Sequence, residues 1–235
     1  MLMLSALPPH IKGSVTLILL CANTAFLAPF LLAVSLSRFV LPLPRWQNLC
    51  TRAAIRLAEL WMSFNSRWMR LTQETHWEVS GLEQLQRRQW YLVIANHQSW
   101  ADILILQHLL NRRIPMMKFF LKQELIWVPL LGICWWALDF PFMKRYSREY
   151  LARHPEKRGQ DLASTRRACE KFKLAPTTVF NFLEGTRFTT AKQRQQKSPY
   201  RHLLKPKSGG LAFVLGAMGG YISQLVDITL SLIHI

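Results

Sequence analysis

A histidine, a serine and an aspartate lie within six residues of one another in the stretch WYLVIANHQSWADILIL at residues 90–106. Residues 91–95 are a short apolar run that predicts a buried strand, and residues 103–110 predict the start of an apolar helix. The three polar side chains therefore lie at a strand-to-helix junction. Residues five apart diverge by roughly 140° on a regular helix, so His97 and Asp102 can meet only if the chain turns between them.

This junction has two chemical interpretations. In the first, Ser99 begins the helix and Asp102 only accepts hydrogen bonds from helix amides, as in a capping box. In the second, His97 is a general base that exchanges a proton near neutral pH, and Asp102 fixes its tautomer and stabilises the imidazolium. The spacing alone leaves both interpretations open.

A second polar group follows the apolar run at residues 177–182, which predicts another strand. It reads LEGTR at residues 183–187, and Gly185 permits a tight turn there. Ligands of α/β sheets gather beyond the carboxyl ends of the strands. The side chains expected to face the same crevice as His97 are therefore Glu184, Thr186 and Arg187. The alternative is an ordinary turn with a surface salt bridge.

The 235-residue chain is strongly basic, with 30 Lys+Arg against 13 Asp+Glu and a formal net charge of +17. Residues 141–210 hold 17 Lys+Arg and five Asp+Glu, so most of the excess surrounds the second polar group. This charge implies an anionic partner, which can be nucleic acid, an anionic membrane surface or a phosphorylated substrate. The four cysteines are far apart and form no CxxC pair, so neither a zinc site nor a disulfide framework is predicted.

The N-terminal region contains an uncharged segment, residues 13–37, that is long enough to cross a bilayer core of ~30 Å. A single span is one interpretation, and a re-entrant hairpin bent at Pro29 is another. A cleaved signal peptide is disfavoured because its apolar part is typically roughly 7 to 15 residues long. Arginines are dense after residue 37, whereas Lys12 is the only Lys or Arg before the segment, which predicts that the rest of the chain faces the cytoplasm.

Between residues 45 and 75, apolar side chains recur every three or four positions, which predicts one amphipathic helix. Its apolar stripe consists of Trp46, Leu49, Ala53, Leu57, Leu60, Phe64, Trp68 and Leu71. The arginines lie off this stripe, so the helix can rest on anionic lipid. The stripe can equally pack into a protein core.

From residue 76 onward, predicted strands and helices alternate. A short strand and turn are predicted at residues 76–81. Further strands are predicted at residues 91–95, 115–120, 138–142 and 177–182, and helices at residues 121–136 and 161–173. This alternation indicates an α/β fold with a mainly parallel sheet flanked by helices. The predicted regions are a membrane anchor at residues 1–44, an interfacial helix at 45–75 and an α/β domain at 76–235.

The first polar string, NHQSWADI, resembles the NHxxxxD signature of the glycerolipid acyltransferases, the 1-acylglycerol-3-phosphate acyltransferase superfamily. FLEGTR resembles the FPEGTRS block of that family, with Leu183 in place of the usual proline. Two weaker blocks, PFMKR and LKPKSGG, extend the resemblance over about residues 76–210, and the bacterial members and the lysocardiolipin acyltransferase-like branch look closest. Family members usually continue with a strand that carries a proline-containing block. Residues 226–230 could start this strand, but the sequence ends without the block, so the C-terminal end is expected to be incomplete.

This resemblance implies a role for each matching residue. His97 would be the catalytic base and Asp102 the carboxylate that orients it. The residues implied in binding the acceptor, chiefly its phosphate, are Arg145, Glu184, Gly185, Thr186 and Arg187. Further candidates in or beside the matching blocks are Asn96, Ser99, Lys144, Lys205 and Lys207. No metal and no cofactor is implied.

The expected function is that of a membrane-bound enzyme that moves a fatty acyl group from acyl-CoA or acyl carrier protein to a lysophospholipid. The expected acceptor is 1-acylglycerol 3-phosphate, which would give phosphatidate, and another lysophospholipid is the first alternative. A non-catalytic basic protein that binds membranes is the second, and a lipid hydrolase is disfavoured because the chain has no GxSxG. The expected location is the bacterial inner membrane, with the catalytic domain in the cytoplasm and no nucleic-acid partner.

Overall fold

The computed structural model describes residues 8–73, 75–143 and 175–231. It also describes residues 150, 153, 154, 166, 169, 170, 172 and 173. The chain forms two compact units. One comprises residues 1–85, 104–113 and 124–140, and the other comprises residues 86–103, 114–123 and 141–235. The region boundaries predicted after residues 44 and 75 stay predictions.

The first unit is helical. It contains α1 (Pro9–Ser37), α2 (Pro44–Thr72), most of α3 (Ala101–Leu110) and α4 (Leu131–Ala137). In the part of the chain that the structure describes, α1 alone is long and apolar enough to cross a membrane, with a mean hydropathy of 2.3 over its most apolar 18 residues. α1 continues without interruption through Pro29, so the interpretation in which Pro29 turns the segment back on itself is wrong.

The two long helices pack side by side and antiparallel. Thr16 near the start of α1 bonds Thr72 at the end of α2, at 3.2 Å between their hydroxyl oxygens, and the Asn23 amide donates to Asn65 at 2.6 Å. At the other end, Ser37 Oγ lies 3.4 Å from Cys50 Sγ. These polar pairs fix the two helices along most of their length.

The amphipathic stripe predicted for α2 is not its buried face. The buried side chains of α2 are small, polar or flexible, and include Cys50, Ala54, Ala58, Met62 and Asn65. On the predicted stripe, Leu49 is 58% exposed and Phe64 is 37% exposed. Small side chains let α1 approach closely, and the other large apolar residues of the stripe are only partly buried.

The second unit is built on a four-stranded sheet in the order β2-β5-β1-β6, in which every pair is parallel. The strands are β1 (Tyr91–Ala95), β2 (Met117–Phe119), β5 (Thr178–Phe182) and β6 (Gln224–Ile228). Two further helices, α5 (Thr190–Gln195) and α6 (Ser208–Met218), follow β5. The predicted α/β class with a mainly parallel sheet flanked by helices is confirmed.

The core of this unit lies between the sheet and its helices. All five residues of β1 are buried, as is usual for a central strand of a parallel sheet. Leu92 and Val179 from neighbouring strands pack with Val214 and Met218 of α6, and Phe172 joins the same cluster. This packing holds the carboxyl ends of β1 and β5 in fixed positions.

Several predicted elements are wrong. The helix predicted at 121–136 is a strand β3 (Leu121–Lys122), a 3-10 turn (Gln123–Trp127) and the short α4, because Pro129 intervenes and Leu130 takes a positive φ of 63°. β3 pairs in parallel with β4 (Phe142–Met143), which is all that remains of the strand predicted at 138–142.

Of two further predicted elements, one strand is wrong and one helix falls largely outside the described residues. The strand predicted at residues 76–81 is irregular, exposed chain that ends at Gly81 with a positive φ of 83°. It has no neighbouring strand among the described residues, and an unpaired strand lacks the hydrogen bonds that would hold it. The helix predicted at residues 161–173 lies largely outside the described residues.

Candidate active site

Two loops meet at one edge of the sheet, directly after β1 and β5. The register pairs Ala95 with Phe182, the last residues of these two strands. The Leu183 N–H then donates to the Ala95 carbonyl at 3.1 Å, which extends the pairing by one step. The segment at residues 183–187 and His97 therefore follow two paired strands at the same edge of the sheet, while the shared crevice stays a prediction.

Asp102 organises the first loop. Its side chain has no exposed surface, and its Oδ2 lies 2.7 Å from His97 Nδ1. The same oxygen accepts hydrogen bonds from the backbone N–H groups of Gln98, at 2.6 Å, and Ser99, at 2.9 Å. The chain turns between residues 97 and 102, so the histidine and the aspartate do meet. Asp102 caps backbone amides and holds the imidazole at the same time, so both interpretations of this segment describe part of its geometry.

His97 is held through its backbone and through its ring. Its N–H donates to Glu184 at 3.3 Å, and its carbonyl accepts the Phe188 N–H at 2.7 Å. The imidazole stacks on the Phe182 ring, with centroids 3.9 Å apart and planes 11° apart. An ionised Asp102 assigns the proton to Nδ1, which leaves the lone pair of Nε2 free to accept a proton. The side chain is 14% exposed, so the arrangement suits general-base chemistry.

Glu184 joins the second loop to the first. The residue is 3% exposed, and its two carboxylate oxygens accept different backbone N–H groups, Oε1 from His97 and Oε2 from Leu204 at 3.2 Å. Burial raises the pKa of this carboxyl above its ordinary value, and the two N–H donors oppose the rise. The phosphate role implied for Glu184 stays a prediction, while these contacts give the side chain a structural task at the site.

The remaining residues of the second loop present polar groups and a cation. Gly185 has a positive φ of 67°, and the Lys207 side chain lies over it, 3.3 Å from where a Cβ would stand. Lys207 itself donates its backbone N–H to the Leu183 carbonyl at 2.7 Å. The Arg187 guanidinium lies 4.2 Å from the ring centroid of Trp100, a cation–π contact on a side chain that is 73% exposed.

The additional site residues predicted from the sequence have different structural roles. The Asn96 side chain donates to the Leu230 carbonyl at 2.8 Å and accepts the Leu230 N–H at 2.7 Å, so it ties the chain after β6 to the first loop. Ser99 Oγ accepts the Ala101 N–H at 3.0 Å at the start of α3. Lys205 is exposed. Lys144 and Arg145 lie outside the described residues, so their roles stay predictions.

Three residues at the site were missed in the sequence. Phe182 stacks on the imidazole, Trp100 covers the Arg187 guanidinium, and the Lys192 ammonium donates to Thr186 Oγ1 at 2.8 Å. The position of Phe182 at the end of a predicted strand is the one signal that could have indicated its contact. Among the described residues, no group of three or more His, Cys, Asp or Glu side chains is placed to hold a metal ion.

The chain is similar in sequence to known proteins. The sequence model of the Acyltransferase family matches residues 76–231. The chain is 28% identical over 152 residues to the mouse 1-acyl-sn-glycerol-3-phosphate acyltransferase gamma, and the match covers 60% of this chain and 38% of that protein.

A solved structure is also similar, the 1-acyl-sn-glycerophosphate (LPA) acyltransferase PlsC from Thermotoga maritima. The TM-score is 0.52 at 21% sequence identity, over 88% of this chain and 72% of the other. At this identity the likeness concerns the fold. The family match spans well over half of the chain and includes both polar loops. The chain therefore belongs to the acyltransferase family, and the kinship with the glycerolipid acyltransferases that its motifs predicted is confirmed.

Proposed function

We propose that this protein transfers a fatty acyl group from a thioester to the free hydroxyl of a lysophospholipid. The observation that carries the proposal is the pair of His97 and Asp102, in which a buried carboxylate lies 2.7 Å from Nδ1 and leaves Nε2 available. Acyl transfer to an alcohol needs one base at this position, because an alcohol is a weak nucleophile until its proton is removed.

In the proposed reaction, Nε2 of His97 takes the proton of the acceptor hydroxyl as its oxygen attacks the thioester carbonyl carbon. A carbon–oxygen bond forms and the carbon–sulfur bond breaks. The thiolate leaves and receives the proton from the imidazolium, which Asp102 stabilises throughout. Phe182 and the backbone contacts of His97 hold the ring in one orientation, so the proton acceptor is in position before the substrate binds.

The proposed acceptor is 1-acylglycerol 3-phosphate, and the product would be phosphatidate. Its phosphate would lie against the second loop, where Thr186 and Arg187 supply a hydroxyl and a planar guanidinium, and Arg145 would contribute a second guanidinium. The names of the mouse and Thermotoga proteins refer to the same acceptor class. A different lysophospholipid is the alternative, and the acceptor kinetics described below distinguish the two.

The proposed donor is acyl-CoA or acyl carrier protein, since both deliver a thioester. We also propose that the protein associates with the bacterial inner membrane and faces the cytoplasm. The long apolar α1 supports membrane association, as do the exposed side chains of Ile18, Phe26 and Phe30 on this helix. The arginines that follow residue 37 support the cytoplasmic orientation.

Replacing His97 with Ala should lower turnover by at least ~10²-fold, because the general base is lost. Asp102→Asn should lower it less completely, since an amide no longer stabilises the imidazolium. The measurement is thiol release from acyl-CoA by purified membranes. His76→Ala, the same change at an exposed histidine in no motif, is the matched control. Full activity in both site variants would show that Asp102 only caps backbone amides and that the active site lies elsewhere.

Arg187→Lys should raise the KM for 1-acylglycerol 3-phosphate while leaving the KM for the thioester nearly unchanged. The substitution keeps the charge but loses the planar fork that suits a bidentate phosphate contact. Arg145→Lys should behave in the same way. Kinetics at low and high ionic strength separate this contact from diffuse surface attraction, which is screened beyond ~10 Å at 0.1 M salt. Wild-type kinetics in both variants at high salt would show that these arginines are surface charge only.

Glu184→Gln should destabilise the protein by about 1–3 kcal/mol, because an amide nitrogen would replace one oxygen that accepts a buried N–H. Turnover should fall by the same factor for acceptors with and without a phosphate, since the change displaces the His97 backbone. Thermal unfolding and kinetics with 1-acylglycerol 3-phosphate and monoacylglycerol are the measurements. Glu83→Gln, at an exposed glutamate, is the control. A loss confined to the phosphorylated acceptor would instead assign Glu184 to phosphate binding.

The proposed orientation predicts that a cysteine introduced at the exposed Arg201 is protected from a membrane-impermeant thiol reagent in intact cells and labelled in inverted membrane vesicles. Cys21 is exposed, so the experiment uses a Cys21→Ser background. Labelling from outside intact cells would contradict the cytoplasmic location and, with it, both proposed donors.

A further inference from the structure

Lys192 reaches back from α5 to the second loop of the site. Its Nζ donates to Thr186 Oγ1 at 2.8 Å and to the Arg187 carbonyl at 3.1 Å. The backbone of Lys192 is also fixed, because its N–H donates to the Thr189 Oγ1 that caps this helix. The ammonium is therefore held beside two residues proposed to bind the acceptor, although Lys192 belongs to none of the matching motifs.

The hydrogen-bonding chemistry of this contact leaves donors available. A lysine ammonium has three N–H groups and no acceptor, and two of the three N–H groups of Lys192 are used within the protein. Because Thr186 Oγ1 accepts from the ammonium, its own O–H can donate elsewhere. One N–H of Lys192 and the O–H of Thr186, which are in contact, can thus both donate to one bound group that is rich in oxygen atoms.

No described Asp or Glu forms an ion pair with the Lys192 ammonium. Within the part of the chain that the structure describes, the ion pairs join other residues, and none includes Lys192. The sequence contains no Asp or Glu between Gly185 and Val226, and the buried Glu184 directs its two oxygens to backbone N–H groups. A half-buried ammonium beside the Arg187 guanidinium therefore attracts an anion that carries more than one negative charge.

We propose that Lys192 is a binding residue for a phosphate monoester, together with Thr186 and Arg187, and that it selects a doubly charged acceptor phosphate over a substituted, singly charged one. This inference rests on the proposed function and assigns the headgroup to the same site. A phosphate monoester has a second pKa near 6, so it is mostly a dianion at neutral pH. A phosphodiester headgroup has one charge and fewer free oxygens for these donors.

The test compares Lys192→Met with Arg194→Met, which removes the same charge from an exposed residue of the same helix. Steady-state kinetics use short-chain forms of three acceptors: 1-acylglycerol 3-phosphate, lysophosphatidylglycerol and monoacylglycerol. Lys192→Met should lower kcat/KM for the phosphate monoester by roughly tenfold or more, mainly through KM, as expected for a lost charge-assisted hydrogen bond. The other two acceptors should change by less than about twofold, and Arg194→Met should leave all three nearly unchanged. Lys192→Arg should recover part of the loss.

A second measurement keeps this inference separate from the proposed reaction. Calorimetry with the short-chain phosphate monoester in a His97→Ala background measures binding without turnover, and Lys192→Met should weaken it roughly tenfold. An equal loss for all three acceptors would make Lys192 a structural contact and overturn the inference, as would identical behaviour of the Lys192 and Arg194 variants. If the wild-type protein transfers no acyl group, the proposed function fails, and the calorimetric comparison still decides the role of Lys192.

Discussion

The burial of one carboxylate is the constraint on which the site depends. Asp102 has no exposed surface, and an ionised group removed from water costs several kcal/mol unless hydrogen bonds compensate. The chain meets this requirement locally, since two backbone N–H groups and the imidazole all point at the same oxygen. The orientation of His97 follows from the need to solvate Asp102, so the catalytic geometry and the stability of the turn have the same origin.

A second buried carboxylate secures the other side of the histidine. Glu184 comes from the loop after β5 and bonds the His97 backbone across 87 residues of sequence. Parallel pairing makes this possible, because the register of β1 and β5 brings the ends of the two strands level with each other. The two acids therefore act on different parts of one residue, with Asp102 on its ring and Glu184 on its main chain. The sequence that follows the second loop contains no Asp or Glu before Asp227.

The sequence predicted the parts of the fold that depend on short-range pattern. β1 and β5 were expected within one residue of their observed bounds, because a run of five or six apolar residues between turn signals suits a buried strand. The helix expected at residues 121–136 failed because a positive φ at Leu130 and the pairing of β3 with β4 override an apolar helical pattern. The periodicity on α2 predicted the helix but not which face packs, because helix packing selected small side chains and periodicity alone does not distinguish a close-packed face from an exposed one.

In the site, as in the fold, the sequence predicted what depends on short-range pattern and missed contacts between distant segments. The pair of His97 and Asp102 could be predicted because the two residues are close in sequence and their types suit one reaction. The contacts of Phe182, Trp100 and Lys192 were not, because each depends on where a side chain from one loop lies relative to another. Such relations are set by the three-dimensional arrangement of the loops, and no spacing rule encodes them.

The two hydrogen bonds between Asn96 and Leu230 also affect how the protein folds during its synthesis. These residues are 134 positions apart, so the ribosome makes Asn96 long before its partner exists. At about 5–20 residues per second, the nascent chain carries β1 with the edge that β6 will cover unpaired for on the order of ten seconds, even after β5 has been made. Until then the loop that holds the histidine lacks its outer strand, and β1 is the segment that most needs shielding during synthesis.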